Sequence, residues 1–309
     1  SPRKSGAMGS HIVALALLAA AGWGAGSPLS KLGMERGGTP NQVALTVLTI
    51  SATSYWTALV VRGEAVFEHA AWVVGLFVVT GLFATAMARV LTFEGVDRLG
   101  SSVNSAGVNT RPVWATVMAV VLLGESVTLQ MTAGIVVVVG GLVVLAFSEG
   151  GDISGWETRH LLFPLTAAVA FGAGSVARRF AFTASAVTPL EGAAINETAG
   201  LVGMLAYVAV RNGSLGGVRE ALRAPRRSYA FFAGSGAVNA LALLALFEAL
   251  SRGRVVVVDP LSSPTSLFAI VFTAIFLRKV ERVTRRVVVG AALVVTGVVL
   301  ITGPQLLAL

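Results

Sequence analysis

The chain has 309 residues, of which 55% are hydrophobic and 12% charged, with a mean hydropathy of +0.81. Soluble domains carry roughly 25% charged residues; half that supply cannot coat a water-facing globule, so the chain must meet lipid. The net charge of +8 reads as loops facing anionic headgroups rather than as a nucleic-acid footprint, and no nucleic-acid partner is expected. Cysteine is absent and His11, His69 and His160 lie far apart, so disulfides, thiolate metal sites and Cys nucleophiles lack material. Neither a metal nor a cofactor is expected.

A membrane helix needs about 20 mostly apolar residues to cross about 30 Å of hydrocarbon. Along the chain that ruler predicts ten spans, at about 11–33, 40–61, 70–93, 101–123, 129–148, 160–183, 187–210, 229–251, 255–277 and 286–306. Polar or Gly/Pro breaks separate them, among them Arg36-Gly37-Gly38-Thr39-Pro40 and Arg62-Gly63-Glu64. Continuous apolar runs such as Ile135-Val136-Val137-Val138-Val139 exclude a barrel, whose strands alternate in polarity. The expected fold class is an all-α membrane protein. Residues 1–10 read as an N-terminal tail. The Ala/Leu stretch after Arg3-Lys4 also fits a secretory signal, with Ala19-Ala20-Ala21 near a cleavable position, but a near-copy of it recurs mid-chain.

Self-comparison is the most informative operation on this sequence. Trp23-Gly24-Ala25-Gly26-Ser27 recurs as Phe171-Gly172-Ala173-Gly174-Ser175, and Thr39-Pro40 as Thr188-Pro189. Phe93-Glu94 with Arg98 recurs as Phe247-Glu248 with Arg252, and Gly134 with Gly141 as Gly290 with Gly297. The chain therefore reads as a first five-helix unit, 11–148, a linker, 149–159, and a second five-helix unit, 160–306. Five is odd, so the second unit enters the membrane from the opposite side: ten transmembrane helices as two inverted five-helix repeats. Such repeats place a binding site near the midplane where the units meet.

The aromatic-Gly start of the first helix in each unit resembles the EamA-type branch of the drug/metabolite transporter superfamily. So does the fourth helix, where Pro112 precedes Glu125 in Val113-Trp114-Ala115 through Leu122-Leu123-Gly124-Glu125, with Gly134 following. The second copy runs from Asp259-Pro260 and Pro264 to Glu281 and Gly290, with Arg278-Lys279 where the pattern has Gly-Glu. The resemblance covers nearly the whole chain. It implies ten helices and transport of amino acids, other metabolites or drugs, with both chain ends cytoplasmic.

Charges at membrane depth cost several kcal/mol and default to functional hypotheses. In helix 4, Asn104, Asn109 and Arg111 belong to the densest polar run of the chain, and Arg111 sits about 15 Å deep at 1.5 Å per residue. Its guanidinium is a candidate holder of a carboxylate-bearing substrate; the alternative is an internal ion pair. Trp23, Ser27 and Asn239 are further substrate-binding candidates, against packing and interhelical hydrogen bonding. Glu197, about 12 Å into helix 7, is the best candidate for a proton-coupling group, or else a structural partner of Arg111, Arg178 or Arg179. Asp259 has the same two readings, coupling residue or helix-start residue. Glu94/Arg98 and Glu248/Arg252, each at i,i+4, are candidate gate latches or interfacial salt bridges ending helices 3 and 8. Arg89, one turn inside the predicted end of helix 3, joins that cluster or snorkels. The glycines of helices 1 and 6 serve close packing, or hinging.

Loop charges oppose the orientation implied by the resemblance. With a cytoplasmic N-terminus the inner face would hold seven basic residues and the outer fourteen, whereas basic residues favour the inside. The expected function is a secondary transporter in the plasma membrane, exporting small polar metabolites such as amino acids by alternating access, driven by a proton or substrate counter-gradient. A channel-like pore and an intramembrane enzyme are the alternatives. No Gly-x-x-x-x-Gly-Lys-Ser/Thr phosphate loop is present.

Overall fold

A computed structural model describes residues 2–64, 69–147, 155–211, 223, 225–276 and 284–306. Among them lie ten helices long and apolar enough to cross a bilayer. They are α1 (Pro2–Glu35), α2 (Pro40–Arg62), α3 (Ala71–Leu99), α4 (Ser101–Leu123), α5 (Leu129–Ala146), α6 (Leu162–Ala184), α7 (Pro189–Arg211), α8 (Arg226–Arg252), α9 in two pieces (Val255–Ser262 and Thr265–Phe276) and α10 (Arg285–Leu306). The turn holding Arg278-Lys279 and Glu281, and the linker up to residue 154, lie outside the described residues. The N-terminal tail expected over 1–10 is instead helical from Pro2, as an extension of α1.

Local chemistry explains where helices begin and break. Thr39 and Thr188 open α2 and α7 with the same reciprocal box. Thr39 N–H donates to Gln42 Oε1 at 2.9 Å and Gln42 N–H to Thr39 Oγ1 at 3.3 Å; Thr188 N–H donates to Glu191 Oε2 at 2.8 Å and Glu191 N–H to Thr188 Oγ1 at 3.3 Å. In each, Pro follows the cap, where its missing N–H is no loss. Pro112 lacks an N–H and its ring clashes with the carbonyl four residues back, so α4 parts between Val108 and Arg111. Pro264 stands at the matching break in α9. A wide π-helical turn, Gly81–Met87, interrupts α3, which then runs on to Leu99, six residues beyond its predicted end.

The packing obeys a two-fold exchange of repeats. Helix α1 packs on α8 and α9, and its counterpart α6 on α3 and α4; α2 packs on α7, α5 on α10 and α4 on α9. The α5–α10 crossing shows the antiparallel relation directly. A Cβ at Gly134 would meet the Gly297 carbonyl at 2.9 Å, and one at Gly141 the Gly290 carbonyl at 2.8 Å, so equivalent glycines pair crosswise. This is the close backbone approach that membrane helices need where lipid is as apolar as the interface itself. The glycines of α1 and α6 do the same work: Gly22 abuts Ala242 Cβ, Gly24 abuts Phe268, and Gly172 abuts the Ala115 backbone. The architecture is two inverted five-helix repeats.

Gly141 and its neighbour Gly140 offer a test, because a Cβ at Gly140 meets nothing within 4 Å. Gly141→Leu should lower thermal stability by overpacking worth about 1–3 kcal/mol, while Gly140→Leu should leave it unchanged or slightly raised. Equal effects on the melting temperature of the purified protein would rule out the glycine crossing.

Candidate functional site

Between the repeats lie two adjoining cavities. An inner one of about 400 Å³ is walled by residues of α1, α3, α4, α6, α7, α8 and α9; an outer vestibule of about 750 Å³ continues from it toward the ends of α1, α3 and α7. Trp23, Arg89, Asn239 and Thr265 line both, and so mark the junction. The vestibule mouth, near Met34, Pro40, Asp97 and Arg211, lies on the face where α5 ends and α6 begins, here called the linker face. The opposite face is the terminal face.

Among the described residues, the terminal side of the cavity is closed. Phe77 of α3, Phe182 of α6 and Phe247 of α8 are all buried and form a closed trio with ring centroids 5.3, 5.8 and 6.1 Å apart. Outside the trio, polar contacts tie the helix ends together. Glu125 accepts from the Val255 and Val256 N–H groups at 2.9 and 3.0 Å, capping α9 with its carboxylate. Arg179 donates to the Leu250 and Ser251 carbonyls at 2.9 Å, and His69 hydrogen-bonds Glu191 at 3.0 Å.

The inner cavity rests on a buried polar lattice. Arg178, 5% exposed, donates from Nε and Nη2 to Asn196 Oδ1 at 3.3 and 3.1 Å, with its guanidinium 5.2 Å from the centre of the Phe247 ring. Asn196 Nδ2 donates to Thr85 Oγ1 at 3.0 Å, and Thr80 Oγ1 donates back to Asn196 Oδ1 at 2.9 Å. Thr80 directly precedes the π-helical turn of α3 and Thr85 lies within it. Gly81 touches the Asn196 carbonyl, so a side chain there would part α3 from α7. π-turns of this kind gather at functional sites. Glu197, 2% exposed, borders the cavity beside Asn239 (Nδ2 to Oε2, 3.5 Å) and interacts with Ser51, Asn196, Arg89 and Arg178. Trp23 Nε1 donates to Asn239 Oδ1 at 3.1 Å, and Phe171, its counterpart in the second repeat, faces the same cavity.

The residues singled out from the sequence divide into three groups. Trp23, Asn109, Arg111, Glu197 and Asn239 border the inner cavity, and Ser27 borders the vestibule. Arg111, though in the wall, is engaged: Nε donates to Asp259 Oδ2 at 3.0 Å, and Nη2 to Ser262 and Ser263 at 3.1 and 2.9 Å. Asp259 is fully buried and also accepts from Ser175 Oγ at 2.7 Å. The pair bridges the breaks in α4 and α9, and removing one partner would leave a buried charge uncompensated, at about 3–5 kcal/mol. Asn104 is not in either wall. It is buried against Gly95 of α3, because five residues from Asn109 is 140° past a full turn of the helix.

Glu94 does more than pair with Arg98 on its own helix: it also accepts from Arg211 of α7 at 2.7 Å and from Tyr207 at 3.4 Å. Its counterpart Glu248 bonds Arg252 at 2.6 Å, on the terminal face. The sequence reads Arg89 as joining this cluster or snorkelling. Because α3 reaches Leu99, Arg89 lies ten residues from the helix end, about 15 Å deep, and it turns into both cavities. It feels Glu197 electrostatically but donates no hydrogen bond to any described residue.

Comparisons with known proteins agree with this architecture. The profile of the EamA-like transporter family matches residues 11–147 and 158–303, one match for each repeat. A solved structure described only as "Crystal structure of protein" is similar over 96% of this chain and 98% of its own, with a TM-score of 0.76 at 17% identity; that likeness concerns the fold. No curated protein matches. With one profile match on each inverted repeat and a cavity carrying a few charged and polar groups between them, the chain belongs to the EamA-like transporter family and is a multi-pass membrane transporter.

Proposed function

We propose that the protein is a secondary transporter that binds one small polar metabolite in the inner cavity and exposes it alternately to the two faces. The observation that carries this is the asymmetry of the cavity: a vestibule opens it to the linker face while the phenylalanine trio closes it to the other. A cavity of about 400 Å³ fits the range of small-molecule sites. A channel would need both ends open at once. In the orientation implied by the family, with both chain ends cytoplasmic, the linker face is external, and this is the conformation from which an exporter releases substrate.

Inverted repeats supply the second conformation by exchanging roles. Glu94–Arg211 joins α3 to α7 on the open face. Repeat exchange turns that pair into Glu248 with Arg62, which end α8 and α2 on the closed face; here Arg62 instead bonds Glu64 at 3.3 Å. The two bridges are thus gates of opposite states. Glu197 is the coupling group: it is buried, borders the substrate space and faces two guanidinium groups, so its protonation changes the charge the substrate meets.

Because the chain has no native cysteine, single cysteines report access cleanly. Ser27→Cys should react with an impermeant maleimide from the linker face, and Phe182→Cys should react from the terminal face only when the transporter cycles. Simultaneous reactivity from both faces in a resting protein would overturn alternating access. Glu94→Gln should shift the balance of these reactivities toward terminal-face opening by about two- to fivefold, the yield of a half-exposed ion pair, and Glu248→Gln should shift it the other way. Shifts of the same sign would remove the gate assignment. In proteoliposomes, Glu197→Gln should abolish the response of transport to a pH gradient while exchange of internal for external substrate persists; a retained response would clear Glu197 of coupling.

A further inference from the structure

The charged groups around the inner cavity do not balance. Four line it: Arg89 from α3, Arg111 from α4, Arg178 from α6 and Glu197 from α7. Helices α1, α8 and α9 contribute only uncharged walls, such as Trp23, Asn239 and Thr265. Arg111 is neutralised by buried Asp259 at 3.0 Å, which leaves two guanidinium groups facing one carboxylate. Toward the vestibule mouth, by contrast, Asp97 offsets Arg211, which also pairs with Glu94 at 2.7 Å. The excess positive charge is therefore deep, where low-dielectric walls focus its field.

The two guanidinium groups also differ in what remains open to a ligand. Arg178 has its Nε and Nη2 donors held by Asn196 and Thr85. Arg89, at the junction of the two cavities, has none of its donors held by a described residue. A planar fork of free N–H donors matches the two oxygens of a carboxylate. Trp23 lies at the same junction and Phe171 in the inner wall, giving aromatic surface for an apolar body.

We propose that the ligand of this cavity is a small organic oxyanion of net negative charge, held by Arg89, rather than a balanced zwitterion. This rests on the reading of the cavity as the substrate site. A zwitterion leaves the excess charge in place; an anion cancels it.

The test uses the full chain in lipid nanodiscs with a single cysteine in the inner cavity, Ser266→Cys, and an exposed control on the linker face, Thr158→Cys. Each is reacted with methanethiosulfonates that are neutral (methyl), anionic (2-sulfonatoethyl) or cationic (2-trimethylammonioethyl). The anion-to-cation rate ratio at position 266 should exceed that at 158 by about tenfold or more. Arg89→Gln should remove most of that excess, Arg89→Lys should keep it, and Glu197→Gln should enlarge it. An unchanged rate with the neutral reagent verifies that each variant keeps the cavity open; were Arg89→Gln to fail there, the opposite sign expected of Glu197→Gln decides. Equal ratios at 266 and 158, or a ratio indifferent to Arg89 and Glu197, would overturn the charge assignment alone. Failure of position 266 to react with any reagent would overturn the open cavity itself.

Discussion

A guanidinium at membrane depth is tolerated only where the protein replaces its water or a cavity admits water to it, and this structure is organised around that requirement. Arg111 is solvated by Asp259 and two serines of α9, Arg178 by Asn196 of α7 and Thr85 of α3. Arg111 finds its partners on the other repeat, and Arg178 joins Asn196 of its own repeat to Thr85 of the other. The same contacts that make the charges bearable therefore hold the two halves in register around the cavity. Breaks in α4 and α9 supply part of this: where the helix is interrupted, Arg111 and the Asp259–Ser263 turn can meet.

The scaffold is two-fold but its chemistry is not. Glycines cross at equivalent positions in α5 and α10, and identical threonine-proline boxes open α2 and α7. The charged residues lining the inner cavity have no such duplicates. By the repeat landmarks, Arg89 corresponds to Leu243, Arg178 to Ser30 and Glu197 to Leu48. Duplication supplies the two halves that enclose one cavity, and a single asymmetric set of charges gives that cavity one electrostatic character. The phenylalanine trio uses Phe77, Phe182 and Phe247 from both repeats, so opening the terminal face requires the halves to move relative to each other.

The helix count, the inverted duplication and the membrane setting were legible because each rests on a repeating signal: apolar length, matched landmarks and an odd number of crossings. Ser27, Trp23, Asn239 and Glu197 were found at the cavity because a polar or aromatic residue in an apolar span has few other reasons to be there. Asn104 was misplaced, since membership of a polar run does not say which face of a helix a residue occupies. Arg89 was underrated for a metrical reason: an error of six residues in the end of α3 moves a side chain about 9 Å in depth, enough to confuse an interfacial residue with one at mid-membrane.

Sequence by itself determined that this chain spans a bilayer ten times as two opposed copies of one module, because hydrocarbon thickness and helical rise permit little else. Only the tertiary structure decided which arginine is bound to a carboxylate and which is open to a ligand, and which face is sealed. Those outcomes depend on distances between helices far apart in the chain, and on the bends that Pro112, Pro264 and the π-turn of α3 introduce. A one-dimensional pattern carries no record of either.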